Sequence, residues 1–483
     1  MDEMTRRELL QIAGAAGVTG TAQTACAQFS WLKDQPQTPN EPLVVNFDVQ
    51  NPAIQYHPME CERCGDCVKV CKYTQTVFEQ KPAIKQLCIH CGQCVANCWN
   101  DGITERFHLQ DVVLSMRANA EEKDPAKKKT YVAITSPAVR AALGEMFKME
   151  QGTNCEGQMV AAARRVGFDY VLDATFGADV TIVEEAAEFK RILEKQTDTT
   201  EKRPFFTSCC PAWVTFAELF FPEVLPRLSS CKSPLMMQSA LIKTNFAETH
   251  KLDPKNLVVV AIAPCTAKKA ELLRPEMNSA GTGHDLDYVL TTREFGWWLR
   301  GMKIDLAELE PAKYDDFIGE GSGSAALFGN TGGVTESVLR TLHFMLTGEK
   351  PGAEFFHLTP VRGLDGLRQA EVKIGDRTLK IGVIHGAGVA REVLSSKEKF
   401  AFDFVEVMAC RGGCIGGGGQ PKTEIPLTDA LRAKRMKVLY TKDDKQEVRL
   451  SLENPQIQKL YGEFLQTQGS EKAQKLLHWK AES

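Results

Sequence analysis

The sequence predicts an α/β protein in which a small cysteine-rich module precedes doubly wound parallel sheets. Eight of the 16 cysteines fall between Cys61 and Cys98, far more densely than elsewhere in the chain. From Lys129 onward, short apolar runs suited to buried strands alternate with helical stretches, which is typical of doubly wound sheets. The length of 483 residues is about three times that of a typical domain, so two or three domains are expected.

The charge balance excludes some functions. The 58 Lys and Arg residues nearly match the 62 Asp and Glu residues, which gives a net charge of −4. That balance argues against a protein whose main task is to bind nucleic acid or an anionic membrane, so no nucleic-acid partner is expected. Sixteen cysteines in a chain of this length are also too dilute for a small fold held by disulfides.

The first 28 residues are predicted to be an export leader. A twin arginine, Arg6-Arg7, precedes two leucines, a weakly apolar run and a small-residue cleavage site around Cys26. This order is similar to leaders that export folded proteins, which predicts a periplasmic location. The alternative is a short amphipathic helix at the start of a cytoplasmic protein. Residues 29–42 contain three prolines and are predicted to be a linker.

The cysteine-rich module, residues 43–126, contains one spacing pattern twice. Each run reads C-x2-C-x2-C-x3-C, the first starting at Cys61 and the second at Cys88. This is the spacing of two-cluster bacterial ferredoxins, in which the fourth cysteine of each run binds the other cluster. One 4Fe–4S cluster is therefore expected on Cys61, Cys64, Cys67 and Cys98, and a second on Cys71, Cys88, Cys91 and Cys94. Two such clusters in series pass single electrons.

Two alternatives explain this pattern less well. Zinc usually takes two separated pairs of ligands per metal, which does not account for a duplicated run of four cysteines. Disulfides match the even count but not the repeated triplets. The runs do depart from the ferredoxin pattern in one respect, because Lys72 and Trp99 stand where proline usually follows the last cysteine.

Three of the remaining cysteines follow predicted strands. The buried strands are expected over Thr130–Ile134, Asn256–Ile262, Lys380–Ile384 and Phe404–Met408. Cys265 comes soon after the second of these strands, and Cys410 and Cys414 come after the fourth. Ligand sites in doubly wound folds form beyond the carboxyl ends of the strands, so these thiols are candidates for such a site.

Four segments of this second half have distinctive sequences. They are Thr207-Ser-Cys-Cys-Pro-Ala-Trp213, Pro264-Cys-Thr-Ala-Lys-Lys269, Phe328-Gly-Asn-Thr-Gly-Gly-Val334, and Met408-Ala-Cys-Arg-Gly-Gly-Cys414 with Gly417-Gly-Gly-Gln-Pro421. These segments resemble the signatures of the diiron (FeFe, iron-only) hydrogenases and occur in that family's order. With the ferredoxin-like module, the resemblance extends from about residue 43 to the end, and residues 426–483 resemble a small-subunit portion that some members carry fused.

The resemblance implies a catalytic domain over residues 127–425, with two doubly wound lobes around an active-site H-cluster. The thiols implied as ligands of its 4Fe–4S part are Cys210, Cys265, Cys410 and Cys414. Cys414 would also bridge to a diiron unit with carbonyl, cyanide and azadithiolate ligands. Lys268 matches the family lysine that pairs with a cyanide. The other implied cofactor-binding positions are Pro137, Ser233, Pro234 and Met408.

The resemblance also implies a proton relay. Cys209 matches the proton-carrying cysteine of the family, and Glu185, Ser229 and Glu188 match the positions that continue the relay. The two glutamates lie three apart in the helical-looking segment 181–188, so both can face one side of a helix. Spacing alone would also fit an ordinary solvated face. The arginine usual at the outer end of the relay has no clear match, since Arg191 is one position away.

Several positions near the implied cluster depart from the family. Ser136, Leu235, Ala263 and Arg411 replace the alanine, glutamine, methionine and proline that are common there. We expect these residues to tune the cluster rather than prevent its assembly, and we expect the cation of Arg411 to favour reduced states.

Three further cysteines have no expected role. Cys26 lies in the expected leader, whereas Cys155 and Cys231 are predicted to be core residues, since free cysteine behaves as a small hydrophobe.

The function implied is reversible oxidation of H2 and reduction of protons, with electrons passing through two 4Fe–4S clusters. The partners implied are H2 and protons, a redox protein such as a ferredoxin or a cytochrome, maturation factors, and additional subunits. A hydrogen sensor of the same fold generally lacks the shuttle cysteine, whereas Cys209 is present. An iron–sulfur assembly protein without the diiron unit would not need Cys414 and Lys268, and a plain electron carrier would not need the second-half motifs.

Overall fold

The computed structural model describes residues 44–45, 48–78, 87–194, 203–396, 401–422 and 427–479. The expected leader, the linker over residues 29–42 and Cys26 lie outside the described residues. Within these ranges, no helix combines the length and the apolarity needed to cross a membrane.

Strands and helices alternate through most of the described chain. The strands are β1 Ile54–Tyr56, β2 Ile103–Glu105, β3 Thr130–Thr135, β4 Tyr170–Asp173, β5 Phe205–Phe206, β6 Leu257–Ala263, β7 Tyr288–Thr291, β8 Leu367–Ile374, β9 Arg377–His385 and β10 Phe404–Met408. The α-helices are α1 Asp66–Lys69, α2 Gln93–Ala96, α3 Leu109–Glu121, α4 Glu156–Arg165, α5 Ala174–Glu194, α6 Pro211–Phe220, α7 Pro234–Leu241, α8 Ala247–His250, α9 Lys268–Glu271, α10 Thr292–Gly301, α11 Gly323–Ala326, α12 Gly333–Thr347, α13 Ala387–Ser395, α14 Asp429–Lys445, α15 Pro455–Leu460 and α16 Glu471–Leu477.

The N-terminal module is small and built around its cysteine turns. β1 and β2 pair antiparallel, with Ile54 opposite Glu105 and Tyr56 opposite Ile103. A short apolar cluster that includes Val68 and Val95 fills the space between α1, α2 and this ribbon. Because so little apolar surface is available here, the module depends on its cysteine sites and on the large domain behind it.

The first large sheet is wholly parallel, in the order β4-β3-β6-β7. In its register Ile134 pairs with Ala261, and Ala261 in turn pairs with Val289. Every residue of β6 is buried, as expected for a parallel strand covered by helices on both faces.

The second large sheet has the order β5-β10-β9-β8, in which β8 is antiparallel to β9 and the other pairs are parallel. The predicted strand over Lys380–Ile384 is present but begins earlier, at Arg377. The added residues are mostly exposed because they belong to the β8–β9 hairpin, so a search for apolar runs does not detect them. The other three predicted strands are confirmed, and with them the doubly wound α/β class.

Helix α5 lies at the centre of the catalytic half. Its 21 residues are mostly buried, and it packs against α7 and α12. The predicted helix over residues 181–188 is therefore confirmed within a longer one.

The C-terminal segment closes over the loop that precedes α7. The backbone N–H of Lys232 donates to the carbonyl of Leu477 at 2.9 Å, and the Trp479 N–H donates to Ser230 at 2.7 Å. The Trp479 indole donates to the carbonyl of Cys231 at 3.0 Å. This loop is therefore held between the body of the domain and the end of the chain.

A cysteine-lined candidate active site

A cavity lies where the carboxyl ends of β3, β6 and β10 meet. Most of the residues that the resemblance assigns to the active site contribute to its wall. They are Pro137, Cys209, Cys210, Pro234, Cys265, Lys268, Met408 and Cys414. Three of the departing positions, Ser136, Leu235 and Ala263, line it as well. Residues up to 278 positions apart in the sequence thus meet at the expected edge of the sheets.

Four thiols of the second half lie close together at this cavity. Burial, together with the neighbouring Cys210, raises the pKa of Cys265 to about 11. Burial likewise raises the pKa of Cys410 well above its usual range, with Cys265 and Cys210 adding to the effect. Cys414 also lies close to Cys265 and Cys210, and burial again raises its pKa. Such thiols lose their protons readily only when a positive metal group compensates the thiolate charge.

The remaining polar groups of the cavity fit an anionic metal cofactor. Ser233 is buried, and its hydroxyl has no hydrogen-bond partner among the described residues. A buried hydroxyl without a partner is unfavourable in an empty protein, so its donor is available to a bound group. Four thiols, this hydroxyl and the ammonium of Lys268 form a donor set that suits an iron–sulfur group with polar ligands.

The ammonium of Lys268 is a buried charge in the wall of the cavity. Burial opposes the charged form, but Glu271 outweighs that effect, so the pKa of the Lys268 ammonium is raised. The ammonium lies 2.7 Å from a Glu271 carboxylate oxygen and donates to the carbonyl of Cys209 at 3.3 Å. The lysine is therefore a fixed cation at neutral pH beside the carbonyl of the expected proton carrier.

Cys71, Cys88, Cys91 and Cys94 surround a second, smaller cavity in the N-terminal module. This group, the inner site, is the ligand set that the crossed ferredoxin pattern predicts. Burial, together with the neighbouring Cys88, raises the pKa of Cys71 to about 12. The inner site lies against the catalytic domain, since Cys91 is near both Cys265 and Cys410.

Cys61, Cys64, Cys67 and Cys98 form the outer site. Burial raises the pKa of Cys67, and the nearby Cys98 and Cys61 raise it further, which places these thiols together. Cys64 is exposed, unlike any cysteine of the inner site. The backbone N–H of Ile103 donates to the Cys98 sulfur at 3.3 Å, a contact typical of iron–sulfur ligands.

Gln93 connects the inner site to the active-site cavity, a role that the sequence pattern did not predict. Its side-chain amide donates to the sulfur of Cys410 at 3.2 Å and to the carbonyl of Gly416 at 3.0 Å. The hydroxyl of Thr266, next to Cys265, donates to the carbonyl of His90 at 2.6 Å. The two cysteine sites therefore lie on either side of a direct, hydrogen-bonded contact.

Two buried ion pairs lie where the module meets the catalytic domain, the first across the contact and the second within the catalytic domain, and neither was predicted. Arg293 lies 3.0 Å from Glu105 of β2, and both side chains are almost completely buried. Lys269 lies 2.7 Å from Glu294, whose other oxygen accepts the backbone N–H of His108. The contacts of Arg293 with Glu105 and of Glu294 with His108 join residues more than 180 positions apart, so no spacing rule could have indicated them. Only the pair of Lys269 with Glu294 is local.

The inner part of the expected proton relay lies beside the cavity. Cys209 is 7% exposed, and burial raises the pKa of its thiol, with Glu185 as the next largest cause. Burial also raises the pKa of Glu185 to about 8, although the hydroxyl of Ser229 lowers it slightly. Glu185 is therefore mostly protonated at neutral pH and able to donate a proton.

The outer part of the relay extends toward the surface. The hydroxyl of Ser229 donates to Glu188 at 3.1 Å, and the backbone N–H of Ser230 donates to the same carboxylate at 3.0 Å. Glu188 is partly exposed, whereas Glu185 is not. The four relay residues therefore span the distance from the cavity to solvent in the expected order. Arg191 is exposed on the last turn of α5 and makes no described contact with Glu188.

Arg411 does not have the position that its sequence context led us to expect. Its guanidinium forms a bidentate ion pair with Asp429, at 2.9 and 2.6 Å, and its side chain is 44% exposed. Because the carboxylate neutralises the cation at the surface, the expected stabilisation of reduced states loses its physical basis. The motif could not indicate this ion pair, because Asp429 lies 18 residues away and has no recognisable link to the motif.

The two unassigned cysteines that the structure describes are both in the core, as predicted. Cys155 is fully buried and donates to the carbonyl of Arg140 at 3.2 Å. Cys231 is also fully buried, but it faces Glu188 and His478, a polar environment that a simple core residue does not require.

Fold and site together define an iron–sulfur class of protein, in which cysteine sites in a small module lead to a cysteine-lined cavity in a doubly wound α/β domain. The family model for the C-terminal domain of the iron-only hydrogenase large subunit matches residues 129–418. The model for the iron hydrogenase small subunit matches residues 429–480. The chain belongs to the iron-only, or [FeFe], hydrogenase family.

Several known proteins are similar to this chain. The NADP-reducing hydrogenase subunit HndD of Solidesulfovibrio fructosivorans is 42% identical over 439 residues, covering 87% of this chain and 73% of that protein. A solved structure of an apo [FeFe]-hydrogenase HydA1 variant from Chlamydomonas reinhardtii has a TM-score of 0.64 and 35% identity, covering 76% of this chain and 98% of that chain. Cytosolic iron-sulfur assembly component 3 of Mus musculus is 29% identical over 415 residues, covering 84% of each chain.

Proposed function

We propose that the protein catalyses the reversible interconversion of H2 with protons and electrons. The observation that carries the proposal is Cys209, a thiol in the cavity wall that adjoins the four candidate ligands on one side and Glu185 on the other. A protein that only held or passed on iron–sulfur groups would have no use for a proton-carrying side chain at this position.

The proposed cofactors are two 4Fe–4S clusters and an H-cluster. The outer and inner sites would each hold one cubane, whereas Cys210, Cys265, Cys410 and Cys414 would hold the cubane of the H-cluster, with Cys414 shared with the diiron unit. When bound, the cubanes supply single-electron transfer, and the diiron unit supplies the two-electron chemistry of hydrogen.

The side chains around the cavity control protons and water. Mostly apolar residues line the cavity, among them Pro137, Pro234 and Met408, and they exclude bulk water from the reacting centre. Lys268, with its charge fixed by Glu271, would donate a charge-assisted hydrogen bond to an anionic ligand. Cys209 would exchange a proton at its sulfur, within reach of the next carrier.

Glu185 is suited to pass that proton on because its pKa of about 8 lies near neutrality. Ser229 can accept and donate through one hydroxyl, and its 3.1 Å contact with Glu188 directs the proton toward the surface. Ser229 and Glu188 are thus joined by one hydrogen bond, whereas Glu185, whose carboxylate oxygens have no hydrogen-bond partner among the described residues, would hold a proton between Cys209 and Ser229.

The decisive experiment uses protein that contains all its clusters and has been matured with a diiron cofactor. Infrared spectra should show carbonyl and cyanide bands, and reduced viologen should drive hydrogen evolution. Cys209→Ala should keep the bands and lose most turnover, because the thiol carries protons and is not a ligand. Cys155→Ala is the matched control, since that thiol is buried far from the cavity, and it should retain turnover.

Three other results would contradict the proposal in different ways. An absence of carbonyl and cyanide bands would favour an iron–sulfur assembly protein, the function that the name of the Mus musculus relative indicates. Bands with only trace turnover in the unaltered protein would favour a hydrogen sensor. Full turnover of Cys209→Ala would remove that residue from the relay.

We also propose a periplasmic location and a redox protein such as a ferredoxin or cytochrome as the electron partner. The location rests on the order of the twin arginine, apolar run and small-residue site in residues 1–28. Fusing residues 1–30 to a reporter that is active only after export in the folded state tests the location. A reporter that stays inside the cell would mean a cytoplasmic protein.

A further inference from the structure

Three side chains with metal-binding atoms meet at the outer end of the proton relay. Glu188 of α5, Cys231 of the loop before α7 and His478 of the C-terminal segment place one ligand atom each within 4.8 Å of one another. The Cys231 sulfur lies 3.9 Å from a Glu188 oxygen and 4.0 Å from Nδ1 of His478. No family motif considered above uses Cys231 or His478, and three separate parts of the chain supply the group.

A second carboxylate holds the imidazole of His478 in the orientation that a metal ligand requires. Nε2 of His478 lies 3.1 Å from Glu184, and Glu184 also accepts the Tyr461 hydroxyl at 2.7 Å and the Gly469 N–H at 2.9 Å. An N–H donated to Glu184 leaves Nδ1 as the free base, and Nδ1 faces Cys231. Histidines that bind zinc have this same arrangement, with the second nitrogen donating to a carboxylate.

The combination of ligands indicates which ion would bind. One thiolate, one imidazole and one carboxylate are ligands that Zn²⁺ accepts, with bonds of about 2.0 to 2.3 Å. Tetrahedral bonds of that length place neighbouring ligand atoms about 3.3 to 3.8 Å apart, so the 3.9 and 4.0 Å distances from the Cys231 sulfur need only a small contraction. The ligand atoms of Glu188 and His478, which lie within 4.8 Å of each other, would have to approach further. Ca²⁺ and Mg²⁺ prefer oxygen ligands throughout and are disfavoured by the sulfur.

The site also has a route for an ion and room for a fourth ligand. Glu188 and Ser230 are partly exposed, whereas Cys231 and His478 are buried beneath them. The Ser230 hydroxyl is 2.8 Å from Nδ1 of His478 and would have to rotate away. A water molecule entering along the same side can complete the coordination.

We propose that Glu188, Cys231 and His478 form a binding site for Zn²⁺ or a similar soft divalent cation, which stops proton transfer when it is occupied. A bound cation would take the carboxylate of Glu188, the residue to which Ser229 donates. The relay would then lose its last acceptor before solvent. The binding site stands on its own geometry, whereas the effect on turnover rests on the proposed function.

The test uses the full-length protein with its clusters loaded and Zn²⁺ as the probe. Equilibrium dialysis should show one retained Zn²⁺ per chain, and absorption at the zinc edge should show one sulfur neighbour among nitrogen and oxygen neighbours. Cys231→Ser should remove the sulfur neighbour, and both Cys231→Ser and His478→Gln should weaken binding by at least about tenfold. Cys155→Ser is the control, and it should bind Zn²⁺ like the unaltered protein.

The second arm measures turnover in the same preparations. Zn²⁺ should slow hydrogen evolution by the unaltered protein, a chelator should restore it, and Cys231→Ser should resist the inhibition. No retained Zn²⁺, or equal retention and an unchanged zinc spectrum in Cys231→Ser, would overturn the site. A preparation without carbonyl and cyanide bands would instead refute the proposed function, and the dialysis result would still decide on the site.

Discussion

The outer and inner cysteine sites begin with the same turn but lie in different surroundings. In both runs the residue before the second cysteine has a left-handed backbone, Arg63 at φ 57° and His90 at φ 61°. In both runs a left-handed glycine follows that cysteine, Gly65 at φ 83° and Gly92 at φ 70°. Each turn also directs a backbone N–H to the sulfur of the first cysteine of its run. The local spacing thus produces one ligand turn twice.

The surroundings of the two turns show what the spacing does not determine. A Cβ atom on Gly65 would meet nothing within 4 Å, whereas one on Gly92 would lie 2.3 Å from the hydroxyl of Thr266. The outer turn therefore faces open space, and the inner turn is pressed against the loop that contains Cys265. The difference teaches that spacing specifies which cysteines form a site, while packing specifies which site lies against the active-site cavity and which faces open space.

Removing one ligand from each site should give the largest contrast. Cys94→Ala at the inner site should abolish most hydrogen evolution from any donor, because electrons have no other described route past Gln93 to the cavity. Cys64→Ala at the exposed outer site should spare much of the turnover driven by a small viologen, which can approach the partly exposed Cys71 and Cys88. Turnover driven by a reduced ferredoxin should still fall.

Iron content and both assays, run on the same preparations, check this contrast. Equal losses with viologen in the two variants would mean that the sites are not ordered as outer and inner. A Cys94→Ala protein with normal turnover would remove the inner site from the electron route.

Breaking the contact beneath the inner site should have the next largest effect. Arg293→Met would leave Glu105 buried without its partner, at a cost of about 3–5 kcal/mol. In the intact protein, burial raises the pKa of Glu105, but Arg293 outweighs burial and keeps it below its ordinary value. Lys190→Met removes an exposed partner of Glu194 and should cost only about 0.3–0.5 kcal/mol.

Thermal unfolding of the cluster-loaded variants, followed by circular dichroism, measures these effects. The melting temperature should fall much further for Arg293→Met than for Lys190→Met. Comparable melting temperatures would show that the module is held on the domain by other contacts.

Part of the fold and part of the candidate site can be predicted from local sequence. The spacing from Cys61 to Cys98 predicted which thiols meet, since each triplet lies within one turn and needs no distant contact. The apolar runs predicted strands β3, β6, β9 and β10, because burial on both faces of a parallel sheet demands continuous apolar residues. The motif cysteines after β6 and β10 belong to two different sheets, so the strands alone did not require them to meet, and it was the resemblance that implied a shared site.

The environments of individual side chains depend on contacts between residues that are far apart in the chain. Nothing near Glu105 indicates that Arg293, 188 positions away, will neutralise it. The meeting of Cys231 with His478 follows from the path of the C-terminal segment over the loop before α7, which no spacing rule describes. Arg411 was expected to place its cation near the cluster, but its ion pair with Asp429 holds the cation at the surface.

The smallest expected effect is that of replacing Gln93, the residue by which the inner turn differs most clearly from the outer turn. Gln93 and Asp66 occupy equivalent positions, just after the left-handed glycine, but Gln93 donates to the Cys410 sulfur whereas Asp66 pairs with Lys69 at the surface. Gln93→Leu should make the midpoint potential of the active-site cubane more negative, since an N–H bond to sulfur favours the reduced, more anionic state. A hydrogen bond worth about 0.5–1.5 kcal/mol corresponds to roughly 20–60 mV for one electron.

Asp66→Leu is the matched control for that shift, because it makes the same change of shape at the outer turn without touching Cys410. Redox titrations followed by electron paramagnetic resonance should therefore show a shift at the active-site cubane in Gln93→Leu alone. A shift of the same size in Asp66→Leu would mean that the outer turn also acts on the active site, through a longer path. Both turns would then influence the midpoint potential of the active-site cubane. The direct hydrogen bond from the inner turn to Cys410 would not be what distinguishes them.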